Sequence, residues 1–230
     1  MKLIIFCLVS IAYVSCKDSV PDAIDWREKG VITQVKDQSD CDGSFYFAAL
    51  GILESYYYQK TGERLDLSEQ SAIDCSLGYN NGCNGGAVLN TLAFVRNKGV
   101  VLEESYPYKA SLGDCQMEGT QSILKTVGYE MLPQNEEELK AAVGTTGPVA
   151  VTFNAQNLTS YSGGIYKDPT CGSTTHSGIV VGYGTSTDSV DYWIIKMSFG
   201  TNWGEDGYVK IARDVAYECG IANKAIYPIL

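Results

Sequence analysis

Between Ser44 and Thr61 apolar residues recur at helical spacing, at Phe45, Ala48, Ala49, Ile52, Leu53 and Tyr56, and Gly62 supplies a stop. This pattern predicts one long helix. Ser68-Glu-Gln-Ser71 opens a shorter helical piece, Leu89 to Asn97 ahead of Gly99 gives another, and the Gly/Asn-rich loop Gly78 to Gly86 separates the two. Asn135-Glu-Glu-Glu138 before Leu139 has the form of a capping box. Beyond it the chain turns to short β-branched and aromatic runs at Val149 to Phe153, Gly178 to Tyr183, Tyr192 to Met197 and Gly207 to Ala212. The first half therefore reads as mostly helical after an extended lead-in from Val20 to Gln34, and the second half as a twisted antiparallel sheet or open barrel. No repeat, low-complexity tract or linker intervenes, so the prediction is an α+β unit with a helical lobe and a β lobe.

The first residues carry a different message. Met1 to Cys16 has one Lys near its start, an apolar run too short to span a bilayer and small residues at its end, and polar KDSVPD follows. This predicts a secretory signal peptide over 1–16, cleaved before Lys17, and an extracellular or lysosome-like destination. No later segment is apolar enough for a membrane helix. The 230 residues hold 17 Lys and Arg against 27 Asp and Glu, a net charge of −10, with the basic residues scattered. That excludes the electrostatic footprint of a nucleic-acid binder and leaves an acidic monomer as the expectation, with neither nucleic acid nor membrane as partner. The single histidine, His176, excludes a zinc site needing two imidazoles, so no metal or cofactor is expected, and any imidazole chemistry falls to His176.

Of eight cysteines, Cys7 and Cys16 lie in the signal segment. Cys41, Cys75, Cys83, Cys115, Cys171 and Cys219 form an even set for an oxidising compartment, with fifteen possible connectivities. A secreted thiol enzyme would need an unpaired cysteine, and complete pairing leaves none. Asn157-Leu-Thr159 is a glycosylation sequon.

Asp25-Trp-Arg, Gln38 to Phe47, Ser68-Glu-Gln70, Asp74-Cys75, Gly82-Cys-Asn-Gly-Gly86, Tyr106-Pro-Tyr108, His176 with Val180-Val-Gly-Tyr-Gly184, Tyr192-Trp193 and Trp203-Gly-Glu-Asp-Gly-Tyr208 follow one another from Val20 to the C-terminus. In these motifs the chain resembles the papain family of cysteine peptidases, nearest its cathepsin L-like branch. The resemblance implies a two-lobe fold over 17–230, with a helical lobe at about 30–128, an antiparallel, barrel-like β lobe at about 129–230 plus the N-terminal strand, and a substrate cleft between them. It also implies the bridges Cys41–Cys83, Cys75–Cys115 and Cys171–Cys219.

The same resemblance locates the departures. Family members carry a segment like Gln-Gly-x-Cys-Gly-Ser-Cys-Trp-Ala-Phe with the second Cys as nucleophile, and here it reads Gln38-Ser-Asp-Cys41-Asp-Gly-Ser44-Phe-Tyr-Phe47. Ser44 stands where the thiol belongs. A thiol can be held as thiolate by an imidazolium and a helix N-terminus, whereas a serine needs a base fixed in one tautomer by a third group. In the family an Asn orients the histidine, and here the matching segment is Lys196-Met197-Ser198-Phe199-Gly200, with Met197 in the Asn position. Met offers only a weak thioether acceptor. Ser39 and Asp42 replace glycines, and Asp42 implies a reshaped loop or a narrowed cleft. Gln38, the side-chain oxyanion donor by resemblance, is present, as are His176 and Gly85 and Gly86, which pair with substrate backbone in the family. Val88, Thr152 and Ser177 would line the pocket for the second residue before the cut. The mature-type start Val20 to Trp26 follows the signal directly, without the inhibitory pro-segment of family enzymes.

Three functions follow as expectations. The first is a proteolytically inactive pseudoprotease that holds a peptide or protein ligand in the inherited cleft. The second is a weak hydrolase or condensing enzyme using Ser44 and His176; the silica-forming proteins of sponges resemble it in carrying serine for cysteine, but they keep the orienting Asn. The third is a structural or matrix protein stabilised by disulfides.

Overall fold

A computed structural model describes residues 19–168, 171–214 and 219–230, so the expected signal peptide lies outside the described residues. The long predicted helix forms as α1, Ser44–Thr61, and Gly62 ends it in the left-handed conformation with its N–H on the Tyr58 carbonyl at 2.8 Å. Every residue from Ser44 to Ser55 is buried, so α1 is covered on all sides rather than on one stripe. Around it lie α2, Glu69–Cys75, whose Ser68 cap accepts the Ser71 N–H, and α3, Val88–Lys98.

On the other side of α1 stands a mixed sheet. Its strands are β1 (Ile24–Asp25), β2 (Gly128–Met131), β3 (Val149–Phe153), β4 (Ile165–Tyr166), β5 (His176–Thr185), β6 (Asp191–Lys196), β7 (Tyr208–Ala212) and β8 (Ile226–Ile229). They run in the order β2-β8-β3-β5-β6-β7-β4, with β1 paired to β5. The barrel-like lobe takes the open form. β2 and β4 end the order without pairing with each other, so the sheet stays open. The sheet is antiparallel as expected apart from one edge, where the short β4 runs parallel to β7.

Two apolar cores lie on either face of this sheet. Ile179, Val181, Ile194, Ala150 and Ile226 face α1 and the helices around it. Val180, Tyr183, Trp193, Val149 and Val151 face α4, Glu136–Thr145, through Leu139, Ala142 and Val143. In β5 the change of face is managed by a bulge: Val180 pairs with Ile195 and Gly182 with Ile194, leaving Val181 over, and its carbonyl accepts the Trp26 N–H at 2.9 Å. Gly182 is required beside it, because a Cβ there would lie 2.3 Å from the Ile24 carbonyl oxygen. Asn135 caps α4 by accepting the Glu138 N–H at 2.8 Å, while its own N–H goes to Pro133, so only half of the expected capping box forms.

The three disulfides join Cys41 to Cys83, Cys75 to Cys115 and Cys171 to Cys219. The first fastens the loop before α1 to the Gly-rich loop before α3 and so fixes one wall of the cleft described below.

Candidate active site

Local sequence places each side chain of the site. Gln38 is held on both amide atoms: Nε2 donates to the Cys41 carbonyl at 3.0 Å, and Ser198 Oγ donates to Oε1 at 2.5 Å. Tyr108 Oη donates to the Gln38 carbonyl at 2.7 Å. Ser39 takes a left-handed φ of 47°, which costs a non-glycine residue about 1 kcal/mol or more. Its N–H donates to Asp37 Oδ1 at 2.7 Å, the local bond that steadies this turn. Asp42 is exposed and bridges in parallel to Asn84 across the disulfide-tied loops.

Ser44 is the first residue of α1 and is buried. Its Oγ accepts the Ser177 backbone N–H at 3.1 Å, and among the described residues no hydrogen bond joins it to His176. His176 opens β5, paired with Phe153, and lies against the Phe199 ring at 4.6 Å between centroids. Its Nε2 is buried with no partner. Burial alone pushes its pKa down to about 4, because no charge stands close enough to favour the imidazolium. Met197 is buried just beyond β6, its N–H on the Gly207 carbonyl at 3.0 Å, and its sulfur lies 3.2 Å from where a Cβ on Gly178 would be.

Asp42, Ser44, Gly85, Gly86, Thr152, His176 and Ser177 line one open cleft of about 150 Å³. Gly86 admits no side chain, since a Cβ would fall 2.3 Å from Asn80 Oδ1 and 2.5 Å from the Phe45 ring. Thr152 and Ser177 face each other across β3 and β5, their hydroxyls 3.1 Å apart. Gln38 and Met197 are buried and do not belong to this lining, and Val88 opens α3 inside the apolar core. Asn157 is exposed, away from the cleft lining, and donates to Asp168 Oδ2 at 2.8 Å.

Sequence reading missed Thr174, Thr175 and Lys224, which also line the cleft. It also missed a buried charged layer behind the cleft. Lys36 Nζ reaches Glu69 at 2.9 Å, Asp66 at 2.7 Å and Glu54 at 3.5 Å, and donates to the Leu67 carbonyl at 2.8 Å. Burial opposes its charge, but Glu69 and Glu54 outweigh it and hold the ammonium well above its ordinary pKa. Lys196 donates to the Thr33 carbonyl at 2.9 Å, and burial pushes it down to about 8. Glu54, only 1% exposed, was visible in principle as an acid inside the apolar run of α1. Among the described residues no group of acids, histidine and cysteines is arranged to hold a metal, and no helix is long and apolar enough to cross a membrane.

Chemically the site offers a hydroxyl at a helix N-terminus, a neutral imidazole and an open cleft. The sequence model described as papain family cysteine protease matches residues 20–229. A cathepsin L-like peptidase of Aedes aegypti is 43% identical over 218 residues, covering 92% of this chain and 64% of the relative. Procathepsin L of Rattus norvegicus is 42% identical over 220 residues, covering 92% of this chain and 66% of its own length. The chain thus spans just under two-thirds of these relatives. Among solved structures, digestive procathepsin L 3 of Tenebrio molitor larval midgut superposes with a TM-score of 0.88 at 40% identity, over 96% of this chain and 73% of that one. The bromelain protease of Ananas comosus, in complex with the E64 inhibitor, gives 0.86 at 39%, over 92% and 100%. With a matching model over nearly its whole length and the same open α+β architecture, the chain belongs to the papain family of cysteine proteases.

Proposed function

We propose that this protein is a secreted, papain-fold binder without peptidase activity, which holds an extended peptide or protein segment in the cleft beside Ser44. The observation that carries the reading is the state of His176. A serine nucleophile turns over only if an imidazole takes its proton and is stabilised as the imidazolium forms. Here the ring is buried, Nε2 lacks an acceptor, and the pKa is about 4 rather than 6.5, so the imidazolium is disfavoured by about 3 kcal/mol. Met197 occupies the position from which the family's Asn would orient that nitrogen. Ser44 in turn serves as acceptor for the Ser177 N–H. Gln38, the oxyanion donor by resemblance, already gives one N–H to the Cys41 carbonyl.

Ligand holding draws support from other features. A Cβ on Gly85 would meet nothing within 4 Å, so the lining is open there, and the relative bromelain has been seen with the E64 inhibitor. The apolar leader over 1–16, the sequon at Asn157 and three disulfides support secretion as a glycoprotein. In this reading the helical lobe extends to about residue 128 and the β lobe follows it.

The test is hydrolysis of a fluorogenic peptide library by the purified protein, by Ser44→Ala, and by the double variant Ser44→Cys, Met197→Asn. A silent natural protein beside a cutting double variant is the expected result. Cleavage by the natural protein that disappears in Ser44→Ala overturns the proposal. One observation favours a second reading, a weak Ser44–His176 hydrolase: a histidine of pKa about 4 is neutral at pH 7, the form a general base needs. Covalent labelling of Ser44 by a fluorophosphonate probe would establish it.

A further inference from the structure

The walls of the cleft differ in chemistry, and lost catalysis does not account for the difference. Beyond Ser44 the far wall is built of hydroxyls, with Thr152 and Ser177 sharing a hydrogen bond at 3.1 Å and Thr175 on the approach to β5. Among the described residues the one cationic side chain on this lining is Lys224. Lys224 lies in the turn that leads into β8, whose Ile226 pairs with Ala150 of β3, and it shares the lining with Thr152, which itself pairs with Ser177. Lys224 is exposed, and no carboxylate pairs with it among the described residues. Among the described residues the acid on the lining is Asp42, in the loop before α1 and bridged to Asn84.

A large apolar side chain entering here would leave the spare O–H of the Thr152–Ser177 pair and the Lys224 ammonium without an acceptor, and a basic one would meet Lys224. A carboxylate accepts from the ammonium and from the hydroxyls together, a charge-assisted arrangement. We propose that this pocket selects an acidic side chain, aspartate or glutamate, from the peptide that the cleft holds, with Lys224 as the specificity-determining residue. The inference rests on the reading of the cleft as a binding site.

The experiment measures binding of N-acetylated, C-amidated hexapeptides in which one position cycles through Glu, Gln, Leu and Lys, to the full protein and to Lys224→Gln and Lys224→Glu. A parallel set with free C-termini separates an internal carboxylate from a chain-end one. Glu is expected to exceed Gln and Leu by about tenfold, with the margin shrinking as salt is raised. The margin should disappear in Lys224→Gln and turn toward Lys in Lys224→Glu. Peptides that bind with Leu preferred, or with a Glu preference indifferent to Lys224, overturn the acidic specificity and leave the binder reading standing. A preference confined to the free C-terminal set overturns it in favour of chain-end recognition. No binding by any peptide overturns both.

Discussion

His176 is the only histidine in the chain, so its imidazole resonances can be followed without assignment. The structure gives a definite expectation for them. Burial holds the ring neutral and sets its midpoint at about 4, where 6.5 is ordinary, which corresponds to about 3 kcal/mol against the imidazolium. The perturbation is Met197→Asn, which restores the residue that in the family orients the histidine and, on the proposed reading, gives the partnerless Nε2 a side-chain carbonyl. A hydrogen bond to a charged group contributes about 1.5–3 kcal/mol, so the midpoint should rise by about one to two pH units. The assay is a heteronuclear NMR titration of the imidazole between pH 3 and 8, with Ser44 left unchanged so that no thiolate intrudes. A natural protein that titrates near 6.5 refutes the burial argument. A Met197→Asn midpoint that does not move refutes the claim that the missing acceptor is what leaves this ring a poor base.

The remaining predictions concern stability. Because the folded pKa of His176 is depressed, the unfolded chain binds a proton that the folded one refuses between about pH 6.5 and 4. This group's full share of stability is therefore present above pH 6.5 and is lost at up to about 1.4 kcal/mol per pH unit as acidity rises, levelling below about 4; urea unfolding at stepped pH should show a flatter profile in His176→Gln. Lys36→Met leaves the carboxylates of Glu54 and Glu69 buried without their cation, and the urea midpoint should report a loss of about 3–5 kcal/mol. Opening the Cys41–Cys83 bridge by paired serine substitution releases a loop with a sequence separation of 42, and calorimetry should show a loss of up to about 4 kcal/mol. Gly182→Ala drives a methyl into the Ile24 carbonyl; a loss of about 1–3 kcal/mol is expected, with faster amide exchange at Trp26.

Much of the scaffold was legible because its signals are local. Both ends of α1 follow from apolar spacing and Gly62, and β3 matches its β-branched run residue for residue. Nothing local marks β2, an edge strand whose residues are half-buried or exposed, or β8, whose Pro228 lacks a donor and reads as a break. Whether the sheet closes depends on the pairing of its two ends, which no single segment records. Ser44, His176 and Met197 stood out through the family pattern, but the partnerless Nε2 needed coordinates. Lys224 shows the limit most plainly: it is one lysine between a cysteine and a strand, and only the folded turn before β8 brings it onto the lining that holds Thr152.

The enclosure of α1 bears on how the chain reaches this state. With Ser44 to Ser55 buried throughout and the helix touching α2, α3, β3, β5 and β8, this part of α1 has no wet face on which to persist by itself. Its amides cannot be shielded until segments from both ends of the chain have gathered round it, so the centre of α1 should exchange its protons only through global opening. The residue that stands in the nucleophile's place thus begins the element whose protection reports completion of the fold.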